Sequence, residues 1–176
     1  MKKPLILQIV GYSDSGKTTL MEGLIQRLKK INLSILAIKS ARFHSYDYGA
    51  SDSDKYLQSG VNTSVVIFDK LTNISFNKQM EVDEIIELIN NLYNLDVVLI
   101  EGFKELKYDK ILVWKDEIPD STELDFSTIR YLYSPFDTSI NLSLKINDLV
   151  KQRDVYQAKS LEELISRIIL DLESSG

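Results

Sequence analysis

At 176 residues the chain is long enough for one domain with a substantial core, and its 44% apolar and 27% charged residues are those of a soluble globular protein. A net charge of −5 argues against a nucleic-acid surface. The lack of cysteine excludes disulfides, thiolate metal sites and cysteine nucleophiles, and one histidine cannot build a histidine metal cluster.

No stretch approaches the length of a membrane-spanning helix, so a cytoplasmic protein with neither membrane nor nucleic acid as partner is expected. The first predicted element is a strand, Leu5–Val10, short and apolar as a buried parallel strand should be. It leads directly into Gly11-Tyr12-Ser13-Asp14-Ser15-Gly16-Lys17-Thr18, two glycines four residues apart followed by Lys and Thr, which is the phosphate-binding P-loop pattern. Glycine lets the backbone turn tightly and bring its N–H groups to a polyphosphate. Lys17 supplies an ammonium for the β- and γ-phosphates, and Thr18 a hydroxyl for one position on hydrated Mg²⁺. The nucleotide-binding candidates are therefore Gly11, Ser13, Asp14, Ser15 and Gly16, continuing through Lys17, Thr18 and Thr19. A helix follows, with Leu20, Met21, Leu24, Ile25 and Leu28 on one face, and its N-terminus adds a positive dipole end at the anion.

Leu33–Ile38 reads as a second strand ending at Lys39. Residues 40–53 form an irregular polar-aromatic stretch, with Arg42, Phe43, His44, Tyr46 and Tyr48 inside it. Asp54–Ser59 is predicted as a short helix closed by Gly60. Thr63–Phe68 is a third strand, and Leu71–Phe76 its hairpin partner across Asp69-Lys70. Val82, Ile85, Ile86, Ile89 and Leu92 recur at helical spacing. Next comes Asp96-Val97-Val98-Leu99-Ile100-Glu101-Gly102, an apolar strand ending in a carboxylate, the way a P-loop fold presents an acid to Mg²⁺ or its water shell. Strands are predicted at Asp109–Trp114, Ile129–Tyr133 and Leu142–Ile146. A last helix carries Leu161, Leu164, Ile165, Ile168, Ile169 and Leu172 behind a capping box at Ser160. Strands alternating with helices give a single-domain α/β P-loop NTPase fold. Its mostly parallel sheet is flanked by helices, and its site lies at the strands' C-terminal ends.

Taken together, Val10 to Leu20, the strand end Ala37-Ile38-Lys39, Asp52-Ser53 with Gly60, Ile100-Glu101-Gly102-Phe103-Lys104 and Lys110-Ile111 resemble the molybdopterin-guanine dinucleotide biosynthesis protein B family. The resemblance runs in order from residue 6 to about 115. It implies a GTP-binding, weakly GTP-hydrolysing homodimer that assists the guanylyltransferase which attaches GMP to molybdopterin. The chain departs from the family pattern in two places. Lys39-Ser40 stands where members commonly have Lys-His, and Gly49-Ala50-Ser51-Asp52-Ser53 lacks the family's lysine and carries one extra residue.

Lys17 and Glu101 are the catalytic candidates, and Thr18, Asp52 and Glu101 the Mg²⁺ candidates. Asp52 has two readings, a member of the metal shell or the N-cap of the following helix. Asp137 is a candidate acceptor for a guanine edge, or a plain turn carboxylate. Arg42 reads as a charge stabiliser or a solvated loop residue, and His44 as an exposed loop residue. An Asn-Lys-x-Asp base-reading motif is absent, so GTP over ATP rests on the resemblance. Two other functions stay open: a small-molecule kinase, which the five scattered arginines disfavour, and a nucleotide-gated scaffold. With no evident water-orienting glutamine, hydrolysis by the chain alone is expected to be slow.

Overall fold

The computed structural model describes residues 3–41, 49, 51–115, 124–135 and 155–174. They fall into two compact units, Met1–Ser40 with Ile89–Gly176, and Ala41–Leu88.

The first unit is built on strands too apolar to remain in water. In chain order it holds β1 (Leu5–Val10), α1 (Lys17–Lys30) and β2 (Ile35–Lys39). After the excursion through the second unit come β5 (Val97–Glu101), β6 (Asp109–Val113), β7 (Ile129–Tyr133), β8 (Tyr156–Ala158) and α4 (Leu161–Ser174). The six strands lie in the order β2-β5-β1-β6-β7-β8, and every adjacent pair is parallel. The expected α/β class, a mostly parallel sheet flanked by helices, is the one observed. On one face Leu7, Ile9, Leu99 and Ile111 meet Leu24 and Leu28 of α1 and Leu164 and Ile168 of α4. On the other, Val10, Leu112, Ile129 and Leu132 pack with Trp114, Leu124 and Val155. Burial on both faces explains why β5 is an unbroken apolar run up to its final glutamate.

The second unit contains α2 (Asp52–Gln58), β3 (Thr63–Ile67) and β4 (Thr72–Phe76). A further helix, α3 (Val82–Tyr93), crosses the boundary between the units. The predicted hairpin is present: β3 and β4 pair antiparallel, and Phe68 N–H bonds Leu71 O at 2.8 Å to close the turn. Its faces are inverted. Val65, Ile67, Ile74 and Phe76 share the exposed face with Thr63 and Thr72, while Ser64 is buried on the other.

Several boundaries differ from expectation for local reasons. β2 starts at Ile35 because Ser34 N–H is held by the Asp96 carboxylate at 2.8 Å instead of joining the ladder. The short helix starts at Asp52, capped by the Ser51 hydroxyl, which accepts Asp54 N–H at 3.3 Å. Gly60 closes it as expected, at φ 96°. Ser160 accepts Glu163 N–H at 3.1 Å at the start of α4. β8 was not anticipated, and the strand expected at 142–146 lies outside the described residues. Among the described residues no helix is long and apolar enough to cross a membrane.

Candidate functional site

The loop between β1 and α1 has the backbone its glycines require. Gly11 sits at φ 155°, and a Cβ there would lie 2.1 Å from the Val113 carbonyl oxygen. Only glycine fits a strand end pressed this closely against the end of β6. Gly16, left-handed at φ 92°, is the N-cap of α1 and supplies no side-chain cap, and the first turn holds no acidic residue. The N–H groups and positive dipole end of α1 therefore face the loop. Asp14 is also left-handed, at φ 57°. The Ser15 hydroxyl is buried without a hydrogen-bond partner, while Ser13, Asp14, Thr18 and Thr19 are exposed along the rim. A concave run of backbone donors, with a buried hydroxyl beneath it, is an anion cradle.

Two of the predicted side chains meet at this cradle. The Thr18 hydroxyl donates to both oxygens of Glu101, at 3.1 and 3.3 Å. Glu101 is the last residue of β5, next to β1 in the sheet, so the register alone carries its carboxylate to the start of α1. Lys39, at the end of β2 on the other side of β5, forms an ion pair with Glu101 Oε1 at 3.1 Å. Lys17 folds back so that its ammonium donates to the Tyr12 carbonyl oxygen. Burial holds the Lys17 ammonium below its ordinary pKa; Glu101 opposes that shift, and Lys104 adds to it. Lys104 lies over the Tyr12 ring at 5.3 Å. Three lysines thus gather around the loop and one carboxylate, a field suited to a polyphosphate.

The donor set also fits Mg²⁺. Among the described residues no group of three or more histidine, cysteine or acidic side chains could enclose a metal. What is present is one hydroxyl touching one carboxylate. Mg²⁺ is usually held by one or two protein oxygens of this kind, with phosphates and water completing its octahedron.

A cavity of about 640 Å³ opens on the same C-terminal edge of the sheet. Trp114, Tyr133, Pro135 and Lys159, each at or just beyond the end of β6, β7 or β8, line it with Gln157 of β8. Pro135 links it to the loop: a Cβ on Gly16 would stand 3.0 Å from the Pro135 Cγ. Its volume is in the range of small-ligand pockets.

Asp52 lies in the second unit, exposed on the first turn of α2 and paired with Lys55 at 3.0 Å; the N-cap is Ser51. Asp137, Arg42 and His44 lie outside the described residues. Conversely, Lys39 joins the cluster although the sequence marks it only as a strand end; a cation at the C-terminal end of a parallel strand is the usable signal.

Residues 6–129 match the family model for molybdopterin guanine dinucleotide synthesis protein B. A putative molybdopterin-guanine dinucleotide biosynthesis adapter protein of Methanocaldococcus jannaschii is 30% identical over 146 residues, covering 80% of this chain and 59% of its own. The adapter protein of Haemophilus influenzae is 31% identical over 116 residues, covering 64% of this chain and 65% of its own. The chain spans between 59% and 66% of the length of the curated relatives it matches. The crystal structure of Bacillus subtilis MobB superposes with a TM-score of 0.70 at 20% identity, covering 96% of this chain and 97% of that one. The MobB homolog of Bacillus stearothermophilus gives 0.65 at 22%, covering 96% and 98%. At these identities the solved structures show a shared fold.

Proposed function

The chain belongs to the molybdopterin guanine dinucleotide synthesis protein B family, and from that premise we propose that it is a GTP-binding adapter in guanylation of the molybdenum cofactor. The observation that carries the nucleotide half of this reading is the Thr18–Glu101 contact at the mouth of the P-loop, with Lys17 and Lys39 beside it. In this reading the loop backbone from Gly11 to Gly16 and the N-terminus of α1 bind the phosphates. Lys17 turns its ammonium from the Tyr12 carbonyl to the β- and γ-phosphates. Thr18 and Glu101 hold Mg²⁺, which when bound neutralises phosphate charge. The base and ribose occupy the cavity between Trp114, Tyr133 and Pro135, where aromatic and proline surfaces can stack a purine.

Hydrolysis in this reading is slow. Lys17 and Lys39 supply cations, but among the described residues at the cluster none is a glutamine that could orient an attacking water. The working form is a cytoplasmic homodimer joined through the exposed apolar face of the β3–β4 hairpin, because a sheet that buries serine and exposes Val65, Ile67, Ile74 and Phe76 is incomplete alone. Its partner is the guanylyltransferase that transfers GMP to molybdopterin.

The test is reconstitution. The chain is mixed with that guanylyltransferase, molybdopterin, GTP and Mg²⁺, and both phosphate release and dinucleotide cofactor are measured. Slow turnover alone with a raised cofactor yield in the mixture is expected. Fast turnover alone with no change in yield would refute the reading and favour an independent NTPase or kinase.

A further inference from the structure

We propose that Gln8 and Lys110 are positioning residues: two fully buried polar side chains on adjacent strands that grip the loop after β5 by its carbonyls and so fix Glu101 at the phosphate site. The inference rests on the Mg²⁺–nucleotide reading above and names residues that reading does not use.

Gln8 and Lys110 are register partners on β1 and β6, both wholly inaccessible to solvent. Neighbouring strand positions on this face hold Val10 and Leu112, so an apolar side chain is the default there. Instead, Gln8 Nε2 donates to Gly102 O at 2.6 Å and also to Phe103 O, while Gln8 Oε1 is left without a partner. Lys110 Nζ donates to Leu106 O, and to Tyr108 O at 3.3 Å. Four carbonyls along a seven-residue loop are therefore held from below by two side chains. Burying an amide with one atom unpaired, and an ammonium bonded only to carbonyls, both work against stability. Burial accordingly holds the Lys110 ammonium below its ordinary pKa, against the opposing carboxylates of Asp125, Asp109 and Glu105.

The geometry of the loop shows what the grip achieves. Gly102 and Phe103 are consecutive left-handed residues, at φ 90° and 53°. A bulky aromatic residue rarely adopts that conformation, which persists only where the surroundings over-determine it. The two carbonyls taken by the Gln8 amide are those of these two residues. The turn continues with Leu106 N–H bonded to Phe103 O at 2.9 Å, and Gly102 N–H is fixed on Ile9 O at 3.2 Å. It begins one residue after Glu101, so its direction sets where the carboxylate leaves β5, against Thr18 and Lys39.

Gln8→Met and Lys110→Met remove the donors and leave an unbranched apolar side chain, of the same reach as glutamine and one atom shorter than lysine. Each is read by calorimetric titration of GTP at a series of Mg²⁺ concentrations and in EDTA, and by amide proton exchange of the loop. A displaced Glu101 raises the Mg²⁺ concentration for half-maximal tightening at least tenfold, as Glu101→Gln also should, while affinity in EDTA stays within threefold. Exchange at the Leu106 amide rises in both variants. A purely structural role would lower the melting temperature without moving the Mg²⁺ midpoint. Gln8→Met acts from β1 and Lys110→Met from β6, so whichever variant folds gives the answer. Should neither fold, proton exchange on the wild-type chain decides: protection of Leu106 equal to that of the β5 amides is required, and exchange as fast as at an exposed turn overturns the proposal. Lys17→Ala separates the two levels. If it leaves GTP affinity unchanged, the nucleotide reading itself fails. If it weakens binding while a folded Gln8→Met or Lys110→Met keeps its Mg²⁺ midpoint within twofold of wild type, only this inference is overturned.

Discussion

β5 and β3 are both five-residue strands rich in valine and isoleucine, and they use those side chains in opposite ways. All five residues of Val97–Glu101 are buried. In Thr63–Ile67 the valine at 65 is 53% exposed and the isoleucine at 67 is 79% exposed, while Ser64 is buried at 6%. β5 lies between two parallel neighbours with both faces covered, whereas β3 belongs to a two-stranded sheet with one apolar face open. β propensity is the same in both; the packing differs. The six-stranded unit closes its own core. The hairpin leaves Val65, Ile67, Ile74 and Phe76 exposed.

The largest effect that would break this comparison is in stability. Leu99→Ala, at a site with no exposure, should cost about 2–5 kcal/mol. Ile67→Ala in the monomer should change stability by no more than about 0.5 kcal/mol. Similar losses in denaturant titrations would show that the hairpin face is packed after all. Next, Ile67→Lys with Ile74→Lys should abolish association while sparing GTP binding. Each isoleucine contributes about 1.5–3 kcal/mol when covered, so the dimer dissociation constant should rise at least about 100-fold. Light scattering that reports a wild-type monomer at micromolar concentration, with and without GTP, would remove this half of the comparison.

A smaller change is expected at the end of β5. Glu101→Gln keeps volume and should leave the melting temperature nearly unaltered while reducing Mg²⁺-dependent hydrolysis about 10–100-fold. Collapse of stability with full activity in the folded remainder would make Glu101 structural. The smallest effect lies at the opposite edge of the sheet, where the buried Tyr131 hydroxyl donates to Asp171. Burial, and then that carboxylate, raise the Tyr131 pKa above its ordinary value. A raised pKa contributes stability that is complete below the unfolded value near about 10 and is lost as pH climbs through the folded value. Tyr131→Phe should cost about 1.5 kcal/mol at neutral pH and flatten the alkaline decline in stability. An unchanged slope above pH about 10 would contradict that assignment.

What was legible in the sequence was local. Leu5–Val10, the glycines and the amphipathic helix behind them are contiguous, so the loop could be read without knowing its neighbours. Glu101 was legible because a carboxylate ends an apolar run. The hairpin was legible from its turn residues, but its inverted faces were not, since alternation does not say which side meets the core. β8 escaped because Tyr156-Gln157-Ala158 has no pattern of its own and is a strand only by pairing with β7. The Lys39–Glu101 pair and the Gln8–Lys110 grip depend on strand register, which joins residues 62 and 102 positions apart.

The central claim is that the C-terminal edge of the six-stranded sheet binds a nucleoside triphosphate with Mg²⁺. It is tested most directly by titration calorimetry of GTP into the wild-type chain and Lys17→Ala, each with and without Mg²⁺. Removing one charge-assisted contact of about 1.5–3 kcal/mol should weaken binding at least about tenfold. The wild-type affinity should also fall when Mg²⁺ is withheld. Equal affinity in the two proteins, or wild-type binding indifferent to Mg²⁺, would contradict the account.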